Sequence, residues 1–297
     1  MMLIVIVCLA NFLELPVVQS ENGAHYDDPK NDTMPKNAIL PGQLYEIPNV
    51  RNRRDTKMSA GRQVVVSAAD IESMKNVPLS AISPTLPEIQ RQILDLHDEY
   101  RRKTDPPSCN MLKMVWNEKA RKNAEIVASQ CKVGHSDVSM RNTDNYKCGE
   151  NIYYAFDKVP WRAVIAAWFS EGPDFVYGKG PVDINKEVGH FTQLMWATSH
   201  DMGCAVAECN NPLFKYIFVC HMCPAGNKGD KLHPWKSGTP CGDCPNSCQN
   251  NLCTNPCQYQ DWYNDCPSYR TGPTCGSDAS LKHDCPAMCL CTDGQIK

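Results

Sequence analysis

The sequence predicts an α+β sandwich followed by a short disulfide-rich region. Helical patterns come first along the cysteine-bearing part of the chain and strand patterns follow, an order typical of α+β folds. The 297 residues include 18 cysteines, ten of them after residue 240. Cysteine at that density indicates a small domain held by disulfides and an oxidising compartment.

The N-terminal region is typical of a secreted precursor. An apolar run, MLIVIVCLANFL, precedes polar chain, which predicts a signal peptide over 1–20 with cleavage after Ser20. Residues 21–80 are polar and cysteine-free, which predicts a disordered pro-region. Within it, RNRR over 51–54 is either a proprotein convertase site, cut after Arg54, or a solvated basic patch. No second apolar run follows, so we expect a secreted protein that does not span the membrane.

Three amphipathic helices are predicted next. Thr85 and Glu88 have the spacing of a capping box, and apolar residues then recur at helical spacing up to Tyr100. Residues 116–131 show a second helical pattern. A third covers 161–172 and stops at a Gly-Pro pair.

Strand patterns cover 190–197, 203–209 and 215–222, and an Asn-Asn-Pro turn joins the last two. Residues 228–240 are polar and turn-rich, which predicts a linker. Residues 241–297 contain few large aliphatic side chains, so disulfides must supply the stability, at about 2–4 kcal/mol each.

Several motifs resemble the cysteine-rich secretory proteins of the CAP superfamily: GHFTQLMWATS at 189–199, YIFVCHMCPAGN at 216–227, CGENIYY at 148–154 and the cysteine ladder from 241. The chain departs from the family pattern at Met222, where tyrosine is usual. The resemblance implies four parts in order: an α-β-α sandwich CAP domain over 85–227, a linker over 228–240, a hinge over 241–256 and an ShKT-like ion-channel regulatory module over 257–291.

The resemblance also implies a disulfide map. It pairs Cys131-Cys209, Cys148-Cys223, Cys204-Cys220, Cys241-Cys248, Cys244-Cys253, Cys257-Cys291, Cys266-Cys285 and Cys275-Cys289. Cys8 leaves with the signal peptide, so Cys109 remains unpaired. It is either a buried inert thiol or a site of intermolecular pairing.

The resemblance further places His135, Glu150, Glu171 and His190 in one cleft. Two imidazoles can hold zinc while carboxylates complete or orient the site, and without metal the four residues form a hydrogen-bonded network. The chain has no H-E-x-x-H motif and no spare cysteine beyond Cys109 for a Cys–His pair. We therefore expect no enzyme, and a metal-dependent hydrolase is the weakest hypothesis.

The function that the resemblance implies is regulation of ion channels or other cell-surface targets, in reproduction on sperm and eggs, or as a venom-type toxin. The module is acidic, and Lys282 is the only lysine within its cysteine framework, which disfavours plugging of a potassium pore. Its channel-contact candidates are Tyr259, Trp262, Tyr263 and Tyr269. A metal- or sterol-binding CAP module is the alternative. The net charge of −3 gives no reason to expect nucleic acid as a partner.

Overall fold

The computed structural model describes residues 68–263, 265–271, 275–276, 278–292 and 294–297. The predicted signal peptide and the convertase site after Arg54 lie outside these residues. No helix within the described ranges is both long enough and apolar enough to cross a bilayer.

Residues 68–80 belong to the region predicted to be disordered, and that prediction is wrong for them. They form helix α1 (Ala68–Met74) and the first half of a 3-10 helix (Leu79–Ile82). Ile82 is buried, and the indole Nε1 of Trp161 donates to its carbonyl oxygen at 2.8 Å. The segment is ordered because it buries apolar side chains against a distant helix, which no local pattern reveals.

Helical periodicity predicts the longer helices well. The described α-helices that follow α1 are α2 (Pro87–Arg101), α3 (Glu118–Ser129), α4 (Trp161–Phe169), α5 (Gly189–Leu194), α6 (Ala279–Asp284) and α7 (Pro286–Leu290). The first three are the longer ones. Asn117 caps α3, because its side-chain oxygen accepts from the Ala120 amide at 3.0 Å.

The described strands are β1 (Val115–Trp116), β2 (Gly149–Ala155), β3 (Phe175–Val176), β4 (Gly180–Pro181), β5 (Asp201–Asn211), β6 (Phe214–Cys223), β7 (Cys248–Gln249) and β8 (Leu252–Cys253). A four-stranded sheet has the order β1-β5-β6-β2. In it β2 and β5 both pair antiparallel with β6, whereas β1 pairs parallel with β5. The other strands form the two-stranded sheets β3-β4 and β7-β8.

The sheet lies between helices on its two faces, as the predicted α-β-α sandwich requires. Helix α3 packs on β5 and β6, whereas α4 contacts α2 and α5 on the other side. Successive side chains of β2 point to opposite faces of the sheet and so join two cores. Ile152 and Tyr154 pack with α3, and Tyr153 packs with Trp161 and other residues of the larger core.

The predicted capping box is absent. Helix α2 begins at Pro87, after Leu86, and no side chain in the described part of the chain caps it. The Thr85 amide donates instead to the hydroxyl of Ser83 at 3.3 Å. Proline suits the first helical position because it has no amide hydrogen that needs a cap.

The strand predicted over 190–197 is wrong, because residues 189–194 form helix α5. Phe191, Leu194 and Met195 are buried and recur at i, i+3 and i+4, which is helical spacing. The carboxylate of Glu171 accepts from the amides of His190 and Phe191, at 2.9 and 3.1 Å. The first turn of the helix is therefore capped by a residue far away in the sequence.

Arg101 joins α2 to the end of α5. It is buried, and its guanidinium makes six hydrogen bonds to five backbone carbonyls, those of Leu112, Leu194, Trp196, Ala197 and Ser199. One side chain thus fixes the turn that follows the helix carrying His190.

The structure contains disulfides between the same eight cysteine pairs that the resemblance implies. The two hinge disulfides are packed against the CAP domain. Leu112 lies in one small core with Cys241, Cys244, Cys253 and Ile296. The Cys253 amide also donates to the carbonyl of Met111 at 2.7 Å, so the hinge is attached through both side chains and backbone.

Two consecutive residues of the CAP domain contact the start of the C-terminal module. The hydroxyl of Tyr146 lies 3.3 Å from the Cys257 carbonyl. The Lys147 amide donates to the side chain of Gln260 at 3.0 Å, and its ammonium lies 5.1 Å from the centroid of Trp262. These contacts hold the module against the CAP domain.

We predict that His97 makes the fold acid-sensitive. Burial lowers its pKa to about 4, against an ordinary 6.5. Because the unfolded chain binds the proton first, stability present above pH 6.5 is lost as the pH falls towards 4, by about 3 kcal/mol. Unfolding in denaturant at pH 7 and pH 4.5 should show a smaller pH difference for His97→Phe than for the unsubstituted protein. An equal difference in both proteins would contradict the prediction.

Candidate functional site

Strand β2 lies between two histidine–carboxylate pairs. Glu150 and Asn151 are adjacent in the strand and therefore point to opposite faces of the sheet. The side chain of Glu150 contacts His135, and the side-chain amide nitrogen Nδ2 of Asn151 donates to the carbonyl of His190 at 3.1 Å.

The first pair has one exposed and one buried member. Nδ1 of His135 lies 2.9 Å from Oε1 of Glu150; the His135 side chain is 58% exposed, whereas that of Glu150 is fully buried. The backbone amide and the hydroxyl of Ser136 also donate to the two carboxylate oxygens, at 2.9 and 2.7 Å. Arg141 bonds the hydroxyl and the carbonyl of Ser136 and lies 3.6 Å from the carboxylate.

His221 is a third hydrogen-bond partner of Glu150. It is fully buried, and its Nε2 lies 3.0 Å from Oε2. Burial would raise the pKa of Glu150, but the hydrogen bonds with His135 and His221 and the charge of Arg141 outweigh it and hold the pKa far below the usual range. Glu150 is therefore a carboxylate at any physiological pH.

The second pair is more enclosed. Nδ1 of His190 lies 2.6 Å from Oε1 of Glu171, and both side chains are only 12–13% exposed. The imidazole lies nearly parallel to the Trp168 indole, at an interplanar angle of 6°. Glu171 thus both caps α5 and orients the histidine that α5 carries.

The donor set of these pairs suits a metal such as zinc. In both, a carboxylate accepts from Nδ1, an arrangement that leaves Nε2 as the ligating nitrogen of a metal-bound histidine. Glu187 joins Glu171 and His190 in a cluster whose potential ligand atoms lie within 4.8 Å of one another. No such cluster of three or more ligands among the described residues contains both His135 and His190.

The sequence-based prediction did not include two residues of the histidine–carboxylate sites, His221 and Glu187. His221 lies directly opposite Glu150 across the β2–β6 pairing, which only the register reveals.

Met222, at the position where the family usually has tyrosine, is fully buried in the larger core.

Three aromatic side chains of β2 and α4 belong to the core and do not line a lipid groove. Tyr153, Tyr154 and Trp168 are at most 4% exposed and pack against the sheet and helices.

The four channel-contact candidates of the C-terminal module differ in exposure: three are exposed, and one packs against the CAP domain. Tyr259, Tyr263 and Tyr269 are 40%, 58% and 40% exposed. Trp262 is partly buried and lies against Lys147 of the CAP domain. The three tyrosines are accessible to a partner, whereas the indole helps to attach the module.

Cys109 is unpaired and buried, with its thiol 3.5 Å from the carbonyl of Lys236. Burial, together with the nearby charge of Asp243, raises the pKa of this thiol. Its environment is that of an inert thiol rather than of an intermolecular crosslink.

We expect Cys109 to resist thiol reagents until the protein unfolds. A chain lacking residues 1–20 should show no thiol that reacts with an aromatic disulfide reagent in the native state, and one in denaturant. A disulfide-linked dimer on a non-reducing gel, lost in Cys109→Ser, would contradict this expectation.

Comparison with known proteins covers both parts of the chain. The family models "CAP: Cysteine-rich secretory protein family" and "Crisp" match residues 94–222 and 241–297. Human cysteine-rich secretory protein 2 is 42% identical over 219 residues, which cover 73% of this chain and 89% of the relative.

Among solved structures, "Crystal Structure of Na-ASP-1" matches with a TM-score of 0.48 and 26% identity, covering 56% of this chain and 46% of its own. "Crystal structure of NaASP2 with Zn2+" matches with a TM-score of 0.48 and 27% identity, covering 57% and 96%. The two family matches and the human relative show that the chain belongs to the cysteine-rich secretory protein family, with a CAP domain and a Crisp C-terminal domain.

Proposed function

We propose that the protein is a secreted, non-enzymatic regulator of an ion channel or another cell-surface target in extracellular fluid, in a reproductive setting such as the sperm or egg surface. The observation that carries this proposal is the exposure of Tyr259, Tyr263 and Tyr269 on the disulfide-rich module. Exposed aromatic side chains are the usual anchors of protein interfaces.

The rigidity of the module supports the same role. Three disulfides cross-link it, and the CAP domain holds its first residues through Tyr146 and Lys147. A preorganised surface loses little conformational entropy on binding. The CAP domain then acts as the carrier that presents the module.

The geometry around Ser136 favours a non-enzymatic role. Its hydroxyl donates to Glu150 rather than to an imidazole nitrogen. The carboxylate that accepts this hydrogen bond has a pKa held far below its usual range, so it is a weak base. A serine activated by histidine is therefore not what this cleft provides.

Patch-clamp recording of calcium and potassium currents in responsive cells tests the proposal. The double variant Tyr259→Ala/Tyr263→Ala should lose at least about tenfold in potency, the loss of one to two interface anchors. Ile184→Ala is the matched control, because Ile184 is 89% exposed on the CAP domain. Equal potency of the double variant and the control would argue against the module as the effector.

A second candidate function is binding of zinc or a similar ion in the CAP domain. The observation that favours it is the carboxylate on Nδ1 of both His135 and His190. A bound ion would use one of these imidazoles, with Glu171 and Glu187 close to His190. Calorimetric titration with zinc should show binding that is weakened in His135→Ala and in His190→Ala. A lipid or sterol ligand is a further alternative, which titration of the unsubstituted protein with a sterol tests.

A further inference from the structure

We propose that His221 is the positioning residue of the His135–Glu150 pair, a role that rests on the proposed metal-binding function of the cleft. His221 holds the Glu150 carboxylate in the orientation that makes Nδ1 of His135 a donor and presents Nε2 of His135 outward. It acts through Glu150 and does not itself contact the metal.

The position of His221 in the sheet holds its side chain in place. It lies in β6, directly opposite Glu150 in β2 on one side and Gly203 in β5 on the other. Directly opposed residues point to the same face of a sheet. A side chain at Gly203 would come within 2.1 Å of the Arg121 amide in α3, so this face is closely covered by that helix. The imidazole of His221 is correspondingly fully buried.

Hydrogen bonding assigns the tautomer of His221. Its Nε2 lies 3.0 Å from Oε2 of Glu150, whereas its Nδ1 is buried and has no hydrogen-bond partner among the described residues. A proton on Nδ1 would be an unsatisfied buried donor, which is costly. The proton therefore lies on Nε2, and His221 donates to the carboxylate.

The other donors to the Glu150 carboxylate come from outside the sheet, unlike His221. The remaining contacts that the described residues make with the Glu150 carboxylate come from His135, Ser136 and Arg141, all in one loop that ends in a short 3-10 helix (Val138–Arg141). That loop is itself organised by the carboxylate, so it cannot orient the carboxylate independently. His221 supplies the donor that comes from the sheet.

The orientation of the carboxylate determines the tautomer of His135 through the other carboxylate oxygen, Oε1. With Oε2 held by His221, Oε1 faces the His135 ring at 2.9 Å and accepts from Nδ1. The neutral ring then carries its lone pair on Nε2, the form that binds metal. The ring is 58% exposed, so this nitrogen can be reached by an ion from solvent.

Two substitutions separate the hydrogen bond from the bulk of the ring. His221→Gln retains a donor to Glu150, whereas His221→Leu fills space without one. Met222→Leu is the matched control, because its side chain is equally buried but points to the opposite face of the strand. If His221→Leu does not fold, His221→Met provides an apolar side chain that adapts more easily to the site.

The test uses two readouts on the full-length protein. Long-range nitrogen–proton NMR of the metal-free protein reports the tautomer of His135, and calorimetric titration with zinc reports affinity. We expect a single Nδ1–H tautomer in the unsubstituted protein, His221→Gln and Met222→Leu. In His221→Leu we expect mixed tautomers and zinc affinity lower by about 10- to 100-fold.

A His221→Leu protein with an unchanged tautomer and zinc affinity within about twofold would overturn the proposal. If the unsubstituted protein binds no zinc, the metal-binding function fails. The tautomer readout still decides the role of His221 in that case, because it requires no metal.

Discussion

Replacing Arg101 with methionine is expected to lower the free energy of unfolding by about 3–5 kcal/mol, a large fraction of the stability of a typical domain. The guanidinium bonds the carbonyls of Leu112, Leu194, Trp196, Ala197 and Ser199 in the interior. An apolar side chain of similar length bonds none of them. The carbonyls of Trp196 and Ala197 keep the backbone amides of Ser199 and Leu112 as donors, so the desolvation penalty falls on the other three. The end of α5, which carries His190, would lose its attachment to α2.

Denaturant unfolding followed by tryptophan fluorescence measures this loss. Arg102→Met is the matched control, because Arg102 makes an exposed hydrogen bond to the carbonyl of Asn250. It should cost less than about 1 kcal/mol. If Arg101→Met costs no more than this control, the guanidinium does not have the anchoring role described for it.

Removing the Cys266–Cys285 disulfide is expected to unfold the C-terminal module while the CAP domain stays folded. Among the described residues, the core of the module consists of Cys266, Leu281 and Cys285, packed with partly buried Cys275, Met288 and Cys289. Most of that core is disulfide, so a loss of about 2–5 kcal/mol exceeds what the remaining apolar contacts supply.

Hydrogen exchange of backbone amides shows where the double variant Cys266→Ser/Cys285→Ser loses structure. Amides of α6 and α7 should exchange fast, whereas those of β5 and β6 keep their protection. Leu290→Ala is the control within the module, because its side chain is 39% exposed. Protection of α6 and α7 that survives loss of the disulfide would contradict the expectation.

The local patterns of the sequence predict those elements whose causes are local. The helical patterns over 116–131 and 161–172 contain α3 and α4, and the strand patterns over 203–209 and 215–222 lie within β5 and β6. The four cleft residues come from the family resemblance, and their pairing as His135–Glu150 and His190–Glu171 is seen only in the structure.

The features that could not be predicted have partners far away in the sequence. Helix α5 depends on a cap from Glu171, and the 3-10 helix before α2 depends on Trp161. His221 reaches Glu150 only because β2 and β6 pair in one particular register. Periodicity and propensity describe near neighbours, so they cannot report contacts of this kind.

The proposed division between a carrier domain and an effector module is tested most directly by recording currents from cells exposed to the oxidised full-length protein and to Cys266→Ser/Cys285→Ser. Leu290→Ala serves as the control. We predict that the unsubstituted protein and the control alter a calcium or potassium current at micromolar dose, and that the disulfide variant does not. A disulfide variant that alters the current as strongly as the unsubstituted protein would contradict the account and place the effector surface on the CAP domain.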